Sequence, residues 1–251
     1  RAVARQRDRL EGLVAERTRA LQIAYAELAE ASQALKEASL TDPLTELRNR
    51  RYLSYVIETD VARVVRTYRD AAPDQPLPNQ DLVFFLVDLD RFKQINDTHG
   101  HAAGDAVLRQ TAVVLRRAAR ETDSIVRWGG EEFLVVARGA SRAEAPALAE
   151  RIRAQMARQV LRLESGTDVR WTCSLGFAAL PFHWRHPEWL GWERTVAVAD
   201  ACLYAAKHAG RDAWVGVVAR EGLNPADHDG RLPHDTLALE AEGLVEVLTS
   251  R

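Results

Sequence analysis

Two adjacent carboxylates, Glu131 and Glu132, stand between a glycine pair and an apolar run in the stretch RWGGEEFLVV (127–136). The flanking runs IVRW and EFLVV read as the strands of a hairpin, with Gly129-Gly130 as a two-residue turn needing positive φ. Glutamate is a poor strand residue, and a carboxylate beside a core is costly unless something positive meets it. Taken alone, the hairpin favours the simpler reading, a solvent-exposed tip with two solvated charges. A third carboxylate, Asp88, closes the apolar run LVFFLVD (82–88). Whether the three converge depends on the elements that carry them.

The periodicity predicts those elements. LVFFLVD is a strand, HAAGDAVLRQTAVVLRRAA (101–119) a helix, and the hairpin follows. A helix over about 141–162 and a strand over 169–180 come next. This order, βαββαβ, is the split-βαβ or ferredoxin-like arrangement, an α+β fold with a palm-type sheet. A further helix (193–208) and the strand AWVGVV (213–218) extend it. Upstream, about 50–70 reads as an amphipathic helix, and AAPDQPLPNQ as a Pro-rich loop. In a ferredoxin-like sheet the third strand lies between the first and second and runs antiparallel to both. The hairpin turn then lies beside the end of strand one, and Asp88 is expected to face Glu131. Carboxylates converging there repel unless a cation sits between them, and hard oxygen donors favour Mg²⁺ or Mn²⁺. Glycines at the turn leave room for phosphates. The expectation is a magnesium–nucleotide site.

GGEEF (129–133) together with DLDRFKQINDTHGHAAGD (88–105) resembles the GGDEF-domain diguanylate cyclases, which join two GTP molecules into cyclic di-GMP and release two pyrophosphates. LTDPLTELRNRR (40–51), SLGFA (174–178) and ADACLYAAKHAGRD (199–212) resemble further elements of that family, in order, over roughly 40–215. The resemblance implies that Asp88 and Glu131 hold metal, two ions per site, with the Leu89 carbonyl as a further ligand and Glu132 supporting them. It implies that Asn96 and Asp105 read guanine; a carboxylate accepting from the N1 and N2 hydrogens rejects adenine, which lacks those donors. Lys93, Lys207 and Arg211 match positions near the triphosphate, Phe92 packs beneath the nucleotide, and Gly129 and Gly130 admit it. Singly, Asn96 reads as well as a helix cap, Asp105 as a first-turn charge, and each cation as a solvated one.

Arg120-Glu121-Thr122-Asp123 matches the family's RxxD inhibitory site, where an arginine fork and an aspartate hold cyclic di-GMP, and Arg151 is a candidate second contact. Two departures stand out. Glu46 occupies a position usually glycine in LTDxLTGLxNR, which implies a differently bent turn. The insert PFHWRHPEWLGWE (181–193) is rich in Trp and His; without a carboxylate or Cys set, His183 and His186 do not read as a zinc site.

Residues 3–38 hold no proline, and Leu10, Val14, Arg17, Leu21, Ala24, Leu28, Ala31, Leu35 and Ala38 fit one heptad seam. So narrow a stripe suits a parallel two-stranded coiled coil, ended by Thr41-Asp42-Pro43. The expected organisation is a dimerising helix (1–40), a catalytic domain (41–218) and a tail (219–251) of packing or disorder. A homodimer, each subunit holding one GTP, follows from the resemblance.

At 251 residues and a formal charge of −2 the chain offers no electrostatic case for nucleic acid as a partner. No apolar run is long enough to span a bilayer. Cys173 and Cys202 read as buried thiols, and the expectation is a cytoplasmic protein. A chain opening on Arg1 suggests a fragment whose upstream sensor domain is missing. The rival to a cyclase is a silent receptor for GTP or cyclic di-GMP, which would be free to lose some of Asp88, Glu131, Glu132, Asn96 and Asp105.

Overall fold

The computed structural model describes residues 2–228, 231–232 and 236–250; Asp229, Gly230, Pro233, His234 and Asp235 of the predicted polar loop lie outside them. The chain divides into two units, Arg1–Thr41 and Asp42–Arg251. The first is the helix α1 (Ala2–Ser39). On it Leu21, Leu28 and Leu35, seven residues apart, are 58%, 65% and 72% exposed. The side chains of Leu10 and Val14 lie outside the described residues.

The second unit is built on a seven-stranded sheet. Its first strand is the short β1 (Arg48–Asn49), followed by α2 (Arg50–Ala71). The Asn49 side chain accepts from the Tyr52 amide at 3.1 Å and so starts that helix. Its buried face is Leu53, Ile57, Val64 and Tyr68, at helical spacing. Then come β2 (Asp81–Leu89), α3 (Phe92–His99), α4 (His101–Ala118), β3 (Ser124–Gly129) and β4 (Glu132–Ala140). Where one helix was expected over 141–162, a 3-10 turn (Arg142–Glu144) leads into α5 (Ala145–Ala157), with Pro146 in its first turn. The expected strand 169–180 is likewise shorter. Leu161–Arg162 (β5) and Asp168–Val169 (β6) form their own two-stranded ribbon, and β7 is Cys173–Leu180. The helix α6 (Trp192–His208) and β8 (Trp214–Ala219) follow, then α7 (Pro225–His228), α8 (Thr236–Ala241) and β9 (Val245–Thr249).

The strand order is β1-β3-β4-β2-β7-β8-β9. Within it, β3-β4-β2-β7 is the ferredoxin-like order, with β4 antiparallel to both β2 and β3. Every residue of β2 is buried, because helices cover both sheet faces. Leu82, Phe84 and Leu86 join one core with α2 and α6, whereas Val83, Phe85, Val87 and Leu89 join the other with α3, α4 and α5. This alternation is the strand's period of two. The central crossing is close: a Cβ on Gly176 of β7 would meet the Ala199 carbonyl and the Leu203 amide of α6. The segment after Ala219 packs. β9 extends the sheet beyond β8, and Leu223, Leu232, Leu239 and Val245 are in the core.

A buried cluster ties down the start of β2. Arg142 forks onto Asp81 at 2.9 Å through both Nε and Nη2, and donates to the carbonyls of Pro181 and Phe182. The Tyr68 hydroxyl donates to the same carboxylate at 2.6 Å. Both cysteines are buried, and burial pushes the Cys202 thiol up to about 12 and Cys173 well above its ordinary value.

Candidate active site at the end of the central strand

The hairpin turn differs from the expected one by a residue. Gly129 pairs with Glu132, so the central turn residues are Gly130 and Glu131. Gly130 alone of these takes positive φ, 46°, as a glycine at the first central position of a hairpin turn does. The register shift after Arg127 absorbs the difference. In consequence Asp88 faces Glu132 across the strands, not Glu131, while the Leu89 amide donates to the Glu131 carbonyl at 3.4 Å. All three carboxylates still gather at one sheet edge.

Their surroundings raise the proton affinity of two of them. Burial pushes the Asp88 carboxyl up, with Glu131 and Asp90 adding to the effect, against the pull of Lys207. Burial also raises Glu132, reinforced by Asp88, Asp200 and Glu131. Lys207 Nζ, from the last turn of α6, lies 2.8 Å from Asp88 Oδ2. Among the described residues, no three His, Cys, Asp or Glu side chains converge as a ready metal cage. Two carboxylates with a backbone carbonyl would make a donor set of hard oxygens suited to a divalent cation. Mg²⁺ is commonly held in this way, by one or two carboxylates with water and substrate phosphates completing the shell.

Arg127 secures the turn. Its Nη1 contacts both oxygens of Asp42 at 3.0 Å, and its Nε and Nη2 donate to the Gly130 carbonyl at 3.2 and 2.9 Å. Against the upward pull of burial, hydrogen bonds from Thr45 and the Arg127 guanidinium hold the Asp42 carboxyl below its ordinary value. The stretch LTDPLTELRNRR thus reaches the glutamate hairpin physically. Glu46 itself sits at φ 56°, the left-handed geometry glycine usually supplies, with its carbonyl accepting from Arg116 at 2.7 Å.

On α3 and α4, Asn96 and Asp105 are half-buried. A Cβ on Gly104 would overlap the Asn96 amide and press on Phe92, so the missing side chain gives Asn96 its place. Phe92 itself is buried in the core beside α4. Lys93 is exposed. Arg211 stands just past α6, whose end is a Schellman turn: Gly210 at φ 112° and the Arg211 amide donating to the Ala206 carbonyl at 3.2 Å. It lines an open cleft of about 680 Å³ with Asp90, Arg91, Arg170 and Asp212.

Arg120, Asp123 and Arg151 line one separate cavity of about 280 Å³, between the β2–β4 face and α5. Asp123 accepts from the Arg120 amide at 2.8 Å and the Arg138 amide at 3.1 Å, and Arg151 donates to the Ala118 carbonyl at 2.5 Å. Three residues of the sequence reading are brought together there, away from the glutamate turn. Asp90, Arg127 and Asp42 stand inside the motifs at 88–105, 127–136 and 40–51, where residue type and spacing give them no task. Their role is in hydrogen bonding, which no residue spacing announces.

The sheet has the ferredoxin-like order of the palm-type domains, with Asp88 ending its central strand, Glu132 opposite it and Lys207 of α6 on Asp88. The chain belongs to the family "Diguanylate cyclase, GGDEF domain", whose model matches residues 39–213. It is 35% identical over 171 residues to diguanylate cyclase DosC of Escherichia coli, covering 68% of this chain and 34% of that protein. It is 41% identical over 180 residues to diguanylate cyclase DgcP of Pseudomonas aeruginosa, covering 70% and 24%. The crystal structure of the coiled coil and GGDEF domain of DgcB from Caulobacter crescentus in complex with c-di-GMP superposes with a TM-score of 0.64. That match has 28% identity and covers 81% of this chain and 96% of DgcB's. The chain thus spans about a third and a quarter of the lengths of these two curated relatives.

Proposed function

We propose that this chain is a diguanylate cyclase that condenses two GTP molecules into cyclic di-GMP across a homodimer. The observation that carries the reading is Asp88 set against Glu132, beside the Glu131 turn, with Lys207 on Asp88. In this reading Asp88, Glu131 and the Leu89 carbonyl hold Mg²⁺ or Mn²⁺, two per site. Such ions supply a lowered pKa at the attacking oxygen and charge neutralisation on the leaving group. The ribose 3′-oxygen of one GTP attacks the α-phosphate of the other; a new phosphodiester forms as the bond to pyrophosphate breaks, and the event repeats in the second direction. Asn96 and Asp105 select guanine, and Lys93, Lys207 and Arg211 bind the triphosphate. Lys207 exchanges its present partner, Asp88, for phosphate. Because each domain presents one half-site, two must face each other, and α1 raises their effective concentration as a coiled coil.

Product formation from GTP and Mg²⁺, followed by chromatography, tests this. Wild type is expected to yield cyclic di-GMP and Glu131→Gln none. A Glu131→Gln variant with normal turnover would refute the assignment. We further propose product inhibition at the Arg120–Asp123–Arg151 cavity, where a guanidinium fork and a carboxylate suit a phosphate and a guanine edge.

A further inference from the structure

The structure points to a residue that organises the phosphate side of this site without touching substrate. After Gly210 the backbone stays in the left-handed region for two more residues, Arg211 at φ 63° and Asp212 at φ 43°. Side chains with a Cβ adopt that region only at a cost, and such conformations persist where surrounding contacts over-determine them. Two contacts clamp the far end of this turn. The Asp212 amide donates to Asp90 Oδ2 at 2.9 Å, and Arg153 Nη1 bonds Asp212 Oδ1 at 2.7 Å. The second is partly solvated, and such bridges hold weakly. The first is made to a buried carboxylate, 7% exposed.

Asp90 is committed on both oxygens. Oδ2 also accepts from the Thr172 hydroxyl at 2.6 Å, and Oδ1 accepts from the Ser174 hydroxyl at 2.7 Å. Three donors from two separate segments therefore converge on one acid that follows the metal-site strand by a single residue. We propose that Asp90 is a positioning residue: it pins the 210–212 turn to the end of β2 and so aims the Arg211 guanidinium at the triphosphate. The proposal rests on the reading of Arg211 as a phosphate contact. It assigns Asp90 a geometric task, not a charge-dependent one, since all three of its partners are neutral donors.

An asparagine can reproduce most of this. Its carbonyl oxygen can serve the Thr172 and Asp212 donors, while the Ser174 hydroxyl rotates to accept from the amide. An alanine reproduces none of it. The test is the affinity of the full chain for a non-reacting α,β-methylene analogue of GTP with Mg²⁺, in Asp90→Ala, Asp90→Asn, Arg211→Ala and the double variant Asp90→Ala/Arg211→Ala. Losing an aimed, charge-assisted phosphate contact weakens binding about tenfold or more. Asp90→Ala and Arg211→Ala are each expected to show that loss, and Asp90→Asn to bind within about threefold of wild type. The double variant should bind no more weakly than Arg211→Ala, because residues that act through one another are non-additive. Multiplying losses in the double variant, or an Asp90→Asn as weak as Asp90→Ala, would overturn the proposal. Arg211→Ala with unchanged affinity would instead remove the reading of Arg211 on which it rests. If Asp90→Ala does not fold, Asp90→Glu set against Asp90→Asn decides: position demands that Asn bind better, charge that Glu does.

Discussion

At the scale of the residue, Glu132 shows what a carboxylate costs when a sheet edge half-buries it beside Asp88. Burial and its acidic neighbours raise its proton affinity in the folded state above that in the unfolded chain. The contribution to stability is then fully present below the unfolded carboxylate range and is lost as pH rises through the raised folded value. At neutral pH the ionised group is a burden on the metal-free fold. Glu132→Gln is therefore expected to raise the melting midpoint at pH 7, measured without divalent metal. The gain should shrink as pH falls toward 4. A gain that persists unchanged at low pH would show that something other than charge is being relieved. The residue types of this site were legible in the sequence, since GGEEF and DLDRFKQIND carry them in order. The pairing of Asp88 with Glu132 was not, because a one-residue shift in a turn changes every cross-strand partner.

At the scale of the element, the turns are where local conformation and site geometry meet. Glu46 holds φ 56° at a position where the family resemblance implies glycine. The turn keeps the left-handed shape that glycine would supply, so the departure is one of cost, not of course. A left-handed residue with a Cβ costs about 1–2 kcal/mol, of which glycine's greater unfolded freedom returns about 0.5–1. Glu46→Gly should therefore stabilise the protein by about 0.5–1 kcal/mol, read as a higher urea midpoint at unchanged m-value. A lower midpoint would mean the Glu46 side chain contributes more than its backbone costs. Helix and strand spans read well from periodicity wherever a face is buried, as in α2 and β2. The span 141–180 read poorly. There a 3-10 turn precedes α5 and a two-stranded ribbon precedes β7, so both are shorter than expected, and elements of two or three residues carry too few for a period to show.

At the scale of the whole molecule, Leu21, Leu28 and Leu35 form an exposed apolar stripe on α1, and the proposed coiled coil would cover it with a second copy of the helix. Removing residues 1–41 is expected to lower both dimer content by sedimentation and specific activity at micromolar protein. Unchanged dimerisation would separate the helix from the half-site mechanism. The second molecular prediction concerns feedback. Micromolar cyclic di-GMP should inhibit the wild type, and Arg120→Ala should relieve it with turnover otherwise retained, because the Arg120–Asp123–Arg151 cavity is apart from the glutamate turn. Inhibition that is equal in both proteins would take that cavity out of the account. Among the described residues, no helix is long and apolar enough to cross a membrane.

The sequence by itself determined the βαββαβ order of the core with the helix and strand that follow it, the acids at the end of the central strand, and the family to which they belong. Those features rest on residue type and spacing along the chain, which folding does not alter. The tertiary structure decided which acid faces which and that Arg127 binds the glutamate turn to Asp42. It also placed the final segment as a seventh strand and made Asp90 the anchor of the turn bearing Arg211. Each of these depends on register, on backbone donors or on contacts between separate segments of the chain, and a hydrogen bond between distant segments leaves no period in a sequence.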